Sequence, residues 1–189
     1  LRESHRWFAQ DVLPHVAERG LRRVAEHQAQ GHVVAIVSAS TQYVVGPMAA
    51  HLGVPGCYVC THIRSEGGKL TGELEPPACY GQGKVVWAER FAAEHGVDLA
   101  RSYFYTDSIS DLPLLERVGH PVAVNPDPRL RRLAGRRVPR QGGGSRARPA
   151  GAHAAHPPWP SPPDRPQPCR ASGAAAACLL RRRIDARAA

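Results

Sequence analysis

Gly31-His32-Val33-Val34-Ala35-Ile36-Val37-Ser38-Ala39-Ser40 is the stretch on which the fold turns. Residues 33–37 are apolar without interruption and mostly β-branched. A strand with one wet face would alternate; a continuous run reads as a strand buried on both faces, as in a parallel sheet. The polar Ser38-Ala39-Ser40 follows directly. Upstream, Val12, Val16, Leu21, Val24 and Ala25 recur near a helical period, predicting helix from Trp7 to about Gln30 with breaks at Pro14 and Gly20. Downstream, Val44, Val45, Met48 and Leu52 predict a helix ending at Gly53. Two extended segments, 58–63 and 69–74, flank Glu66-Gly67-Gly68 and read as a hairpin. A helix over 83–95, a second buried strand at Ser102–Tyr105 and a short helix at Leu112–Val118 follow. A third strand at Pro121–Val124 precedes Asn125-Pro126-Asp127, which caps a last helix from Pro128 to about Ala134. This alternation predicts a doubly wound α/β sheet with helices on both faces and its site at the strand C-termini.

Charge is divided sharply along the chain. The 189 residues carry 25 Lys and Arg against 16 acids, a net +9. Residues 136–189 hold 11 Arg and 2 acids, so residues 1–135 are balanced and their charge argues for no polyanionic partner. The segment 136–189 is dominated by Arg, Pro, Ala and Gly and is expected to be disordered. An out-of-frame reading of a GC-rich gene yields the same mixture. The opening Leu1 is followed by no signal-like apolar run, and the apolar patch Ala174–Leu180 is far too short to span a bilayer. The expectation is a soluble, cytoplasmic protein without membrane contact. Its five cysteines then read as reduced thiols, and Cys57-Tyr58-Val59-Cys60 as two small buried residues at a strand edge rather than a zinc or redox pair.

Three polar points fall where this architecture puts chemistry. Ser38 follows the first buried strand, Lys84 opens a helix after Gly81-Gln82-Gly83, and Asp107 and Asp111 follow the second strand. Taken singly, they read equally as a helix cap, a surface lysine and favourable dipole partners. Together, hydroxyl, lysine and paired acids at one sheet edge supply the parts for phosphoryl transfer: charge stabilisation and carboxylates for a divalent ion.

Four segments carry a resemblance to the haloacid dehalogenase superfamily, and within it to the phosphoserine-phosphatase-like branch called subfamily IB. Val33–Ser40 resembles the second motif, and Gly68-Lys69-Leu70-Thr71-Gly72 the hairpin that follows it. Cys79–Lys84 resembles the approach to the motif III lysine, and Tyr105–Glu116 the fourth motif. Val118–Asp127 also fits the branch. The resemblance implies a Mg²⁺-dependent phosphoric monoester hydrolase acting on a small phosphomonoester through an aspartyl-phosphate. Ser38 and Lys84 would be catalytic; Ser38, Ala39 and Lys84 would bind substrate, with Ala39 lending its backbone N–H. Asp107 would ligate the metal, and Asp111 the metal or the lysine.

The departures bear on activity. The family's first motif, Asp-x-Asp-x-Thr, supplies nucleophile and general acid/base, and no Asp-x-Asp occurs in this sequence. Residues 1–30 are accordingly expected to be the remnant of a helical cap, 31–135 the core, and the chain an N-terminally truncated, inactive version. The strand lost with that motif would leave two neighbours unpartnered. Thr106 stands where Gly is frequent, a variation the branch tolerates. The alternatives are a non-catalytic protein that binds phosphate ligands through Ser38 and Lys84, and nucleic-acid binding through the Arg-rich tail.

Overall fold

The computed structural model describes residues 2–137 and 177–180. The chain opens with α1 (Arg2–Trp7), which continues as a π turn over Phe8–Val12 and a 3₁₀ turn over Leu13–His15. Pro14 ends this run as expected, and the chain extends at Val16 and Ala17 before α2 (Glu18–Ala29). The break expected at Gly20 is absent: Gly20 sits in the first turn of α2, its N–H bonded to the Ala17 carbonyl at 2.9 Å. Glycine there costs only about 1 kcal/mol of helix propensity, too little to end an otherwise supported helix.

The buried run becomes β1 (Val33–Thr41), followed by α3 (Gln42–His51) and β2 (Tyr58–Thr61). The hairpin forms with a different first arm: residues 58–61, expected in it, belong to the parallel sheet as β2, and β3 (Ile63–Glu66) pairs with β4 (Lys69–Leu74) across a turn made by Gly67 and Gly68 at φ 55° and 76°. Next come α4 (Gln82–His95), β5 (Tyr103–Thr106), α5 (Leu112–Leu115), β6 (His120–Ala123) and α6 (Pro128–Arg137). Asp127 caps α6 as read, its Oδ1 accepting from the N–H groups of Arg129 and Leu130.

A five-stranded sheet runs in the order β2-β1-β7-β5-β6, and every neighbouring pair in it is parallel. Alternate residues of β1 face opposite layers. Val33, Ala35 and Val37 pack with Phe104, with Val85, Ala88 and Phe91 of α4, and with Leu114 of α5. Val34 and Ile36 point the other way, to Val24 of α2 and to Phe8, Val45 and Met48. Helices thus cover both faces, and each fully buried side chain of the size of Leu114 or Phe104 contributes about 1.5–3 kcal/mol. Part of the segment expected as cap remnant, α2, is one of these covering helices.

The central strand β7 is Ala177–Leu180. It lies between β1 and β5, where the sequence led us to expect two strands without a partner. That expectation is corrected: four residues of the Arg-rich segment fill the gap. The remainder of the 136–189 expectation, apart from the end of α6, falls outside the described residues.

Candidate functional site

The register across β7 fixes which strand ends share a level. Leu180 pairs with Ile36 on one side and with Tyr105 on the other. Ser38 lies two residues further along β1, which continues to Thr41 rather than ending before Ser38 as expected, and Asp107 is the first residue past β5. The two stand towards the C-terminal edge, about two strand spacings (~10 Å) apart.

Lys84 reaches this edge from the first turn of α4. The glycine-rich approach has a steric basis. A Cβ on Gly83 would lie 2.0 Å from the carbonyl oxygen of Ala78, so only glycine lets the 78–83 loop fold this tightly onto the helix start. Lys84 is fully buried and donates from Nζ to Asp111 Oδ1 at 2.6 Å. The other oxygen, Oδ2, accepts from Thr106 Oγ1 at 2.6 Å. Both members of the ion pair are inaccessible to solvent. A buried ammonium at the positive end of a helix is tolerable only with such a partner.

Cys79 links Ser38 to this pair. It is fully buried, and burial pushes its thiol up to about 12; Lys84 and a hydrogen bond from the Ser38 backbone oppose the shift, while Asp111 reinforces it. The thiol is thus electrostatically coupled to Lys84 and Asp111. Ser38 is buried at the end of the apolar run and its Oγ accepts from the Ser40 N–H at 3.1 Å; Ala39 beside it is exposed. Asp107 is half-buried, and its carbonyl accepts from the Asp127 N–H at 2.7 Å. Asp127 also takes the Ile109 N–H on Oδ2 at 2.7 Å, tying the 107–111 loop to the start of α6. The N–H groups of Leu130 and Ile109 hold the Asp127 carboxyl below its ordinary range.

All five predicted site residues thus come from one sheet edge. Two contributors were missed. Thr106 stands in the sequence only as a tolerated variation, and its hydrogen bond to Asp111 is a contact that the structure supplies. Asp127 was read as a helix cap alone. Elsewhere, Cys57 is buried and disulfide-bonded, which corrects the all-reduced reading, while Cys60 and Cys79 are free and buried. Among the described residues no helix is long and apolar enough to cross a membrane.

A parallel sheet covered by helices on both faces, with a buried lysine–aspartate pair at its C-terminal edge, defines the class: a doubly wound α/β protein with a charged site at its strand ends. The family model for haloacid dehalogenase-like hydrolases matches residues 1–116, and the chain belongs to that family. It is 43% identical over 123 residues to a "probable phosphatase" of Mycobacterium tuberculosis, covering 65% of this chain and 42% of the relative. It is 32% identical over 138 residues to a histidinol-phosphatase of Neisseria meningitidis, covering 71% and 62%. A solved Bordetella pertussis protein of unknown function superposes with a TM-score of 0.66 at 33% identity, covering 71% of this chain and 61% of that one. The chain therefore spans about two-fifths to three-fifths of the length of these relatives.

Proposed function

We propose that the protein handles a small phosphoric monoester at the edge formed by Ser38, Ala39, Lys84 and Asp107. The buried Lys84 ammonium, fixed by Asp111 at the level of Ser38, is the observation that carries this reading. A phosphate dianion there would lie in the field of the buried ammonium and of the N-terminal end of α4, both favourable to negative charge. With Oγ already accepting from Ser40, the Ser38 hydroxyl proton is available to a phosphoryl oxygen. The exposed Ala39 would offer its backbone N–H alongside. The relatives named for phosphate-ester hydrolysis support the substrate class and leave the particular ester open.

Mg²⁺ fits this edge only in part. Among the described residues no group of three His, Cys, Asp or Glu converges on a metal position. Both Asp111 oxygens are engaged, by Lys84 and Thr106, which favours the lysine-holding role over direct ligation. Asp107 would supply one carboxylate, and Mg²⁺ commonly takes one or two together with substrate phosphate and water. The metal would neutralise charge on the phosphoryl group. Location in the cytoplasm belongs to this reading, as does an aspartyl-phosphate in a protein that carries the Asp-x-Asp motif.

The 189-residue polypeptide by itself is expected to bind phosphate without turnover, since no Asp-x-Asp occurs in it. Inorganic phosphate should raise its melting temperature, and Ser38→Ala should shrink that rise. With p-nitrophenyl phosphate and Mg²⁺ no hydrolysis is expected. Clear turnover abolished by Asp107→Ala would overturn the inactivity, and a melting temperature indifferent to phosphate would overturn the site.

A further inference from the structure

We propose that Thr106 is a positioning residue of the phosphate site: its hydroxyl clamps the Asp111 carboxylate and so fixes where Lys84 presents its charge. The inference rests on the reading of this edge as a phosphate site.

The mounting of Thr106 is rigid. It is the last residue of β5, pairs with Ala123 of β6, and accepts the Val124 N–H on its carbonyl at 2.9 Å. The side chain is 1% exposed. Its Oγ1 lies 3.2 Å from the Ser108 N–H and 2.6 Å from Asp111 Oδ2. A backbone N–H can only donate, so Oγ1 accepts from Ser108, and its single proton goes to Asp111. The direction of that hydrogen bond is thereby fixed by the fold.

Asp111 is then held at both oxygens, Oδ1 by Lys84 and Oδ2 by Thr106, within a fully buried environment. Rotation of the carboxylate would break both bonds at once. Lys84 ends a flexible four-carbon stem, and holding its partner Asp111 narrows where its ammonium can sit. A threonine serving merely as packing would need no hydroxyl, because valine has the same shape. Burying a hydroxyl is costly unless it is bonded, and this one is bonded to the residue that orients the lysine.

The test compares inorganic-phosphate affinity, by titration calorimetry on the full chain, among Thr106→Val, Thr106→Ser and the unaltered protein. Leu99→Ala serves as a stability control; Leu99 is buried just ahead of β5, at the opposite edge of the sheet. Thr106→Val should weaken phosphate roughly tenfold or more, since it removes a hydrogen bond to the buried carboxylate that holds Lys84. Thr106→Ser should stay within about threefold of the unaltered protein because it keeps the donor. Leu99→Ala should lower the melting temperature and leave phosphate affinity alone. If Thr106→Val does not fold, Thr106→Ala takes its place with the same expectation. Unchanged affinity in the valine or alanine variant, or equal weakening in Leu99→Ala, would overturn the positioning role. No phosphate binding by the unaltered chain would remove the site reading itself, and the role of Thr106 with it.

Discussion

Lys84 and Asp111 illustrate why a buried ion pair organises a site without adding much stability. Each ion loses its hydration, and the attraction between them roughly offsets that loss. Removing one partner strands the other charge. Lys84→Met should therefore destabilise the protein by about 3–5 kcal/mol in urea unfolding, while Lys84→Met with Asp111→Leu should recover much of the loss. A double variant as unstable as the single one would mean that the pair contributes net stability. The same pair marks how far the site could be read from sequence. Ser38, Lys84, Asp107 and Asp111 stood out because each follows a buried strand or opens a helix, where side chains reach the sheet edge. The threefold contact of Thr106, Asp111 and Ser108 could not be seen, because a hydroxyl in a β-branched residue looks like strand packing until its partner is placed.

At the scale of elements, α2 is docked to the sheet by a histidine. His27 is buried, with Nε2 2.8 Å from the Tyr105 hydroxyl and Nδ1 2.8 Å from Nδ1 of His32. Tyr103 and His32 flank the ring, and Arg23 and Glu26 face it from its own helix. One Nδ1 must donate and the other accept, so the contact does not survive protonation of both rings. Burial, then His32 and Arg23, hold His27 below its ordinary value of 6.5, with Glu26 opposing. The unfolded chain therefore binds more protons below pH 6.5 than the folded one, and stability is full above that pH and falls as the pH drops through it. Burial lowers His62 as well, adding to the same trend. The urea midpoint should decline between pH 7.5 and 5.5, and His27→Gln should flatten the decline; an identical slope in the variant would assign the effect to His62. Elements were the most legible level of this fold. A continuous, mostly β-branched run located β1, an aromatic run located β5, and the Gly67-Gly68 pair located the hairpin. Of the two breaks expected in the first helical segment, the one at Pro14 forms and the one at Gly20 does not, because Gly20 weakens a helix less than Pro14 ends one.

Across the whole molecule, the central position of the sheet is the feature that composition concealed. Residues 136–189 carry all of the net charge, and an Arg, Pro, Ala and Gly mixture gives no periodic signal. A short strand in the middle of a parallel sheet needs no period, only a few residues free to pair, and Ala177–Leu180 supplies them. Four of its residues pair with Val33–Ile36 on one side, and three of them with Tyr103–Tyr105 on the other. Without them, β1 and β5 would present unpaired backbone edges in the middle of the sheet, an invitation to association. Proline cannot donate to a ladder, and Leu179 sits between Ala35 and Phe104 with neighbours on both sides. Leu179→Pro and a chain ending at residue 137 should accordingly lower the urea midpoint by similar amounts and promote aggregation on a sizing column. Ala171→Pro, a substitution outside the strand, should do neither. Equal midpoints for all four proteins would mean that β1 and β5 do not depend on residues 177–180 for their pairing, and the site at their ends would then have to be held by the helices alone.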